Sequence, residues 1–171
     1  MAEPGAVRAR GKGIVKALRL VGDVTGSAMD IGSKDGRIRI QKIVYLLKSG
    51  GYQPAQKFEF NIYQNGPYSP DLTEVYFLYG NEGISAAQAA EDLPPELLQT
   101  IKAADSKGVQ FLEALTTTLD TTASLRRQGN SGANLAPGLD WARSIKPHIG
   151  ETTWRGVREF LRAHPGLAGS T

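Results

Sequence analysis

Side chains that carry most nucleophilic and acid–base catalysis are scarce in this sequence. Its 171 residues include two histidines, His148 and His164, and no cysteine. Each histidine stands beside a proline, His148 at a predicted helix end and His164 in a predicted tail, and neither has a base or nucleophile at motif spacing. We expect His148 to cap the last carbonyls of its helix. The sequence therefore predicts a protein that is not an enzyme.

Metal and cofactor motifs are also missing. Without cysteine there can be no disulfide, no iron–sulfur cluster and no zinc site of the cysteine type. No pair of histidines has ligand spacing, and neither an EF-hand register nor a GxxxxGK[ST] loop occurs. The adjacent carboxylates Glu91 and Asp92 are expected to diverge in a solvated loop, and Gly11-Lys12-Gly13 is too short to cradle phosphate. We predict no cofactor and no metal.

A group of polar side chains on the predicted second helix could contact DNA. Its members are Arg37, Arg39, Gln41, Lys42 and Lys48. The basic residues could bind phosphates and Gln41 a base edge, and a helix followed by a strand is typical of a winged helix–turn–helix. The structural alternative is that they form the solvated back of an amphipathic helix.

Tyrosines cluster around the predicted strand and turn. They are Tyr45, Tyr63, Tyr68 and Tyr76. Tyrosine is enriched at protein interfaces, so we predict a partner-binding face made by Tyr45, Tyr63 and Tyr68 with Lys42 and Lys48. The structural alternative is packing of each ring in the core or turn, with its hydroxyl at the surface.

Charge is unevenly distributed along a chain of net charge +3. Residues 1–64 hold eleven Lys or Arg against five Asp or Glu, whereas residues 65–124 hold nine acidic residues against Lys102 and Lys107. Such blocks can steer an acidic partner to one face, although folding can also intermingle them.

Hydrophobic periodicity predicts the elements that position these residues. A first helix carries Ile14, Leu18 and Val21, and a second spans Arg37–Ser49. Alternation over Lys57–Gln64 predicts a strand, and Asn65-Gly66-Pro67 a turn. Ser69-Pro70-Asp71 is a helix start that combines a hydroxyl cap, a proline and a carboxylate, and we expect this third helix to end at Gly80.

Four more helices and one more strand complete the prediction. We expect a second strand at Ile84–Ala90, paired with the first, and helices at these positions: from Pro95, Val109–Arg127, Leu139–Ile145 and Thr153–Ala163. The predicted fold is mainly α (α+β), a compact domain of six to seven helices with a two-stranded antiparallel hairpin, and a winged-helix-like arrangement is one option. Residues 13–164 form the domain, between flexible tails at 1–12 and 165–171. We see no secretory signal and no apolar run of membrane-spanning length, so we expect a cytoplasmic protein with no membrane association.

Three segments together resemble a known family. Residues 37–47 read RIRIQKIVYLL, residues 58–63 read FEFNIY, and residues 65–72 read NGPYSPDL. This order resembles the signature of the YwgA-like proteins and the related Panacea or SocA-like antitoxin domains, and FLEAL at 111–115 and IKPH at 145–148 agree with the YwgA-like pattern. One departure is that the usual Tyr-Gly-Pro is replaced by Asn65-Gly66-Pro67, with the aromatic residue shifted to Tyr63.

The resemblance implies a mainly helical domain, often associated with mobile elements or toxin–antitoxin loci. Antitoxin members of this group act by holding a toxin protein or delivering it to a protease. We therefore expect a non-enzymatic protein-interaction module, antitoxin-like or phage-related, that binds a partner protein such as a toxin. The alternative is a DNA-binding, winged-helix-like transcriptional regulator that uses the second helix. The sequence shows no small-molecule substrate.

Overall fold

A computed structural model describes residues 2–130 and 135–169 as a mainly helical domain with one small antiparallel sheet. The elements are α1 (Pro4–Thr25), α2 (Lys34–Ser49), a 3-10 turn (Gln53–Lys57), β1 (Asn61–Tyr63), β2 (Gly66–Tyr68), α3 (Pro70–Ala86), α4 (Pro95–Asp105), α5 (Val109–Arg127), α6 (Leu135–Ile145), α7 (Glu151–Ala163) and α8 (Gly166–Gly169). The predicted class, helical with a two-stranded antiparallel hairpin, is confirmed. None of the described helices combines the length and apolarity needed to span a membrane.

Two central helices, α2 and α5, are surrounded by the others. On α2 every residue from Ile40 to Leu47 is buried, and on α5 the same holds from Phe111 to Ala123. The threonines of α5 survive burial because their hydroxyls bond to carbonyls one turn earlier, as Thr116 does to Leu112 and Thr118 to Ala114. The predicted bounds of α5 are therefore confirmed despite its threonine content.

The predicted flexible tail at 1–12 is wrong for the described residues. Helix α1 begins at Pro4, a position where the missing N–H of proline costs nothing, and Val7 is buried. Gly11 lies inside this helix, although glycine weakens helices. Here it allows close approach, since a Cβ at Gly11 would collide with the Val75 side chain of α3.

The predicted tail at 165–171 is also corrected, because α8 forms from Gly166 to Gly169 and buries Leu167. Residues 170 and 171 lie outside the described part. The leucine supplies enough apolar area to dock a single turn against the body of the domain.

The sheet differs from the prediction in its second strand. Segment Ile84–Ala90 contains no strand, because α3 resumes after Gly80 and continues to Ala86. Gly80 has φ 69° and ψ 174°, which interrupts the helix at its predicted end without terminating it. The partner of β1 is instead β2, which follows a two-residue turn, with Tyr63 opposite Gly66 and Asn61 opposite Tyr68. The first strand is also shorter than predicted: Lys57 belongs to the 3-10 turn, and strand pairing is confined to Asn61–Tyr63.

The hairpin packs on α5 and α2. Gly66 makes this contact possible. Its φ is 85°, in the left-handed region that favours glycine, and a Cβ there would lie 2.8 Å from Thr117 Oγ1 of α5. A hairpin laid against buried helices differs from a wing beside an exposed recognition helix.

Candidate functional site

Two polar side chains of α2 fix the hairpin and the start of α3. Gln41 donates from Nε2 to the Ser69 carbonyl at 3.0 Å and accepts from the Ser69 N–H at 2.8 Å. Lys42 donates from Nζ to the Pro67 carbonyl at 2.6 Å. Both side chains are only 2% exposed. Two strands of three residues are not stable alone, so these buried bonds hold the hairpin in place.

A second lysine holds the other arm of the hairpin. Lys146, just after α6, is buried and donates to the carbonyls of Tyr63, at 3.1 Å, and Gln64. Its Nζ also lies 3.3 Å from Glu113 Oε1 of α5, and the same oxygen lies 3.3 Å from His148 Nε2. We call Lys42, Lys146, Glu113 and His148 the lysine cluster.

Burial dominates the electrostatics of Lys42. Loss of solvent lowers the pKa of its ammonium to about 7, and the nearby Glu113 carboxylate limits the fall. Lys146 lowers this pKa further, and Asp120 raises it. At neutral pH Lys42 is therefore close to its titration midpoint while it holds the Pro67 carbonyl.

A pocket of about 370 Å³ opens between α2, the hairpin and the first turns of α3. Buried Gln41 and Lys42 line its inner part, and two aromatic side chains stand at its rim: Tyr63 is 53% exposed and Phe77 56% exposed. We call this the hairpin pocket. Its inner wall is fixed by the bonds that anchor the hairpin, whereas its rim offers aromatic surface to solvent.

Three hydroxyls form a network in the wall of the hairpin pocket. Thr73 Oγ1 accepts from Gln41 Nε2 at 3.0 Å and lies 2.8 Å from the Tyr68 hydroxyl and 3.2 Å from that of Tyr76. Thr73 has one hydroxyl proton and can donate it to only one neighbour at a time. The phenol protons of Tyr68 and Tyr76 supply donors that this network does not consume completely.

The hairpin pocket is lined by cations without carboxylates. Lys34, Arg37 and Lys42 contribute to its lining, and no Asp or Glu does. Arg37 Nη1 donates to the carbonyls of Ile31, at 2.8 Å, and Gly32, at 3.2 Å. Within the described chain, neither Lys34 nor Arg37 forms an ion pair.

A separate cavity of about 500 Å³ lies on the other side of β1, between α2 and the end of α5. Its lining includes Tyr45, Lys48 and Asp120, and the Tyr45 hydroxyl donates to Asp120 Oδ1 at 3.1 Å. Burial raises the pKa of Asp120, and the Tyr45 hydrogen bond opposes that rise. We call this the Asp120 cavity.

The predicted partner-binding face is thus divided between two places. Tyr63 and Tyr68 belong to the hairpin pocket, and their rings pack edge to face with centroids 5.2 Å apart. Tyr45 is 5% exposed and packs against Phe60, so its predicted place on the surface is wrong. The half-buried Lys48 donates to the Phe58 carbonyl at 2.5 Å.

The predicted DNA-contacting face of the second helix is wrong as an exposed surface. Gln41 and Lys42 are buried, and Arg39 forms a two-point ion pair with Asp105 of α4 at 2.8 and 2.9 Å. Arg37 is held by loop carbonyls. The helix contributes more to the core than its alternation of basic and apolar residues indicates, because long side chains bury their stems and direct their charges to internal acceptors.

The histidines and the paired acids have internal contacts. Among the described residues His148 has no carbonyl partner, contrary to expectation, and its Nε2 lies 3.3 Å from Glu113 Oε1. His164 Nδ1 lies 2.8 Å from the Phe160 carbonyl at the end of α7. Asp92 accepts from the Tyr52 hydroxyl at 2.9 Å. Among the described residues, no group of three or more acidic or histidine side chains could hold a metal ion.

Four residues of the site were missed from the sequence: Glu113, Lys146, Lys34 and Phe77. Glu113 stands between apolar neighbours in the centre of a helical pattern, which signals a buried charge that needs a partner. Lys146 follows Ile145 at the end of a predicted helix and gives the same signal. Lys34 and Phe77 carry no such signal.

Neither a family model, a curated protein nor a solved structure matches this chain.

Proposed function

We propose that this protein is a cytoplasmic, non-enzymatic interaction module of the antitoxin kind, which holds a segment of a partner protein such as a toxin in the hairpin pocket. The observation that carries the proposal is the exposed aromatic pair Tyr63 and Phe77 above a pocket whose inner wall is fixed by buried hydrogen bonds. Exposed aromatic side chains beside a pocket are typical anchors of protein interfaces.

The rigidity of the pocket supports this function. A binding surface that is already in place loses little conformational entropy on association, and the bonds of Gln41, Lys42 and Lys146 fix the hairpin before any partner arrives. A volume of about 370 Å³ accommodates a few side chains of a docked segment. The resemblance to antitoxin domains that hold toxins agrees with this assignment.

The test is complex formation between the full chain and the product of the adjacent gene. The two proteins are expressed together, and the complex is measured by affinity co-purification and by size-exclusion chromatography. We expect a stoichiometric complex with the wild-type chain, and relief of growth arrest where the neighbour is toxic. The double variant Tyr63→Ala, Phe77→Ala should lose the complex, because it removes the rim of the pocket.

A matched control removes exposed side chains elsewhere. Arg155→Ala on α7 and Lys102→Ala on α4 change exposed positions far along the chain from the pocket and should leave the complex intact. Circular dichroism verifies that each variant is folded. A folded double variant that still binds the neighbour like wild type would contradict the proposal. So would a wild-type chain that forms no stoichiometric complex with the neighbour or any other protein in its native cells.

A further inference from the structure

We infer that the hairpin pocket selects its occupant by a carboxylate: the bound segment of the partner carries a carboxylate beside an aromatic or other apolar side chain. This inference rests on the proposed function and adds the chemistry of the bound segment. Its basis is the combination of two cations without a carboxylate partner, a phenol donor and aromatic rings within one pocket.

The cations of the pocket differ from the arginines that are paired with carboxylates. Arg10 lies 2.9 Å from Asp71, Arg39 lies 2.8 Å from Asp105, and Arg143 lies 2.6 Å from Glu151. Among the described residues Arg37 bonds to two carbonyls, both through Nη1, and exposed Lys34 lies one turn earlier on the same helix. The described chain thus leaves positive charge unneutralised at this pocket.

The neighbouring acidic residues do not neutralise these cations. Asp30 and Asp35 are close in sequence but do not line the pocket, and the Asp30 carboxylate accepts from the Gly32 N–H at 2.9 Å. An incoming carboxylate would therefore meet two cations without displacing an existing ion pair. Charge-assisted hydrogen bonds from a guanidinium are stronger and more directional than bonds between neutral groups.

The remaining lining determines what must accompany the carboxylate. Ile38, Tyr63 and Phe77 contribute apolar surface. The Tyr68 hydroxyl, which accepts from Thr73, keeps its own proton to donate to an oxygen. A phosphate chain would need cations along its whole length, whereas here they are confined to one side of an aromatic pocket. An apolar side chain that carries or adjoins a carboxylate matches both parts.

The probe for the test is N-acetyl-phenylalanine, which joins a carboxylate to an aromatic ring, and its neutral counterpart is N-acetyl-phenylalaninamide. Each is titrated into the ¹⁵N-labelled full chain and followed by NMR. We expect saturable shifts of the backbone amide signals of Gly66 and Tyr68 and of the side-chain amide signal of Gln41 with the acid. Affinity for the amide should be at least about tenfold weaker, since one charge-assisted contact contributes about that factor.

Charge-removing variants locate the contact. The double variant Lys34→Met, Arg37→Met should weaken binding of the acid about tenfold or more and leave the affinity for the amide unchanged. Because Arg37 also holds a loop, the single variant Lys34→Glu, at an exposed position, provides a second measurement that does not endanger folding. Lys102→Met is the matched control for loss of an exposed lysine and should bind both probes like wild type.

The results separate this inference from the proposed function. Equal affinity for acid and amide, no saturable binding of the acid, or an unchanged acid affinity in Lys34→Glu would overturn the inference. Tighter binding of a short DNA duplex than of the acid at low salt would also overturn it. If the partner complex is lost in the Tyr63 and Phe77 double variant but forms normally in both cation variants, the inference fails and the proposed function is retained. If the complex forms normally in the rim variant and in both cation variants, the proposed function fails as well.

Discussion

The inner and outer faces of the hairpin differ in nearly every physical respect. On the inner face, Gly66 touches α5, and the carbonyls of Pro67, Tyr63 and Gln64 accept hydrogen bonds from buried lysines. We use the term outer face for the exposed side chains of β1, which are Ile62, 37% exposed, and Tyr63, 53% exposed. Six strand residues thus present one surface that the fold holds in place and one that remains open to solvent.

This contrast indicates what the buried charges contribute. Removal of an ammonium from water is costly, and ion pairs in a core are often no more stabilising than apolar residues of the same size. We interpret the lysine cluster as a means of fixing position. Lysine ammoniums reach backbone carbonyls that an apolar core would leave without partners, and so they hold a sheet too small to hold itself.

The strongest disruption of the inner face is Gly66→Ala. The substitution places a Cβ at φ 85° and 2.8 Å from Thr117 Oγ1, next to Lys42 Nζ. Backbone strain and overpacking together should lower the free energy of unfolding by about 2 to 5 kcal/mol, measured by urea denaturation.

Gly51→Ala is the matched control for this substitution. Gly51 has φ 82°, and a Cβ there would meet nothing within 4 Å. Its free energy of unfolding should fall only by the contribution of backbone strain, about 1 to 2 kcal/mol. Equal losses at Gly66 and Gly51 would show that contact between hairpin and α5 adds nothing, and the distinction between the two faces would weaken.

A smaller effect should appear in the pH dependence of stability. The pKa of Lys42 is about 7 in the folded chain against 10.5 for an ordinary lysine. Between these values the unfolded chain binds a proton that the folded chain has released, so the free energy of unfolding should rise with pH. Lys42 alone contributes at most about 1.4 kcal/mol per pH unit. Urea denaturation from pH 7 to about pH 8.5 measures the rise and stays below the range where tyrosines titrate.

Lys42→Met should remove this rise, because methionine keeps most of the side-chain volume and has no proton to release. Glu113, Lys146 and Asp120, which act on Lys42, remain in the variant. Exposed Lys102→Met should keep the wild-type slope. A wild-type slope that persists in Lys42→Met would assign the pH dependence to another group and leave Lys42 as an ordinary hydrogen-bond donor.

The sequence predicted the helices behind the inner face, but it did not predict the contacts that hold the hairpin against them. Periodicity located α2 and α5, and the cap residues at Ser69 and Pro70 located the start of α3. Periodicity also treats every Lys and Gln as solvent-facing, so Gln41 and Lys42 were assigned to an exposed surface. Their acceptors, the Ser69 and Pro67 carbonyls, lie more than 20 residues away, and no local rule reports such a pairing.

Short-range patterns failed elsewhere for related reasons. Alternation over Lys57–Gln64 predicted a long strand, but Phe58 is buried at the end of a 3-10 turn, and strand pairing is limited to Asn61–Tyr63. The pairing partner was wrongly predicted at Ile84–Ala90, where Ser and Ala give no decisive period. The tyrosines were located correctly near the turn, but only the three-dimensional arrangement separates buried Tyr45 from exposed Tyr63.

The smallest effect on folding should come from the outer face. Tyr63→Ala removes a ring that is half exposed and loses one edge-to-face contact with Tyr68. The free energy of unfolding should therefore fall by less than about 1.5 kcal/mol, the upper range for such an aromatic pair. Tyr63→Phe is the matched control and should be neutral, because it keeps the ring and the described hydroxyl has no protein acceptor. A loss from Tyr63→Ala as large as that from Gly66→Ala would mean that the outer ring supports the hairpin rather than a partner. In that case the two faces would no longer have separate roles, and the loss of a partner complex in rim variants would report misfolding of the hairpin instead of a missing contact.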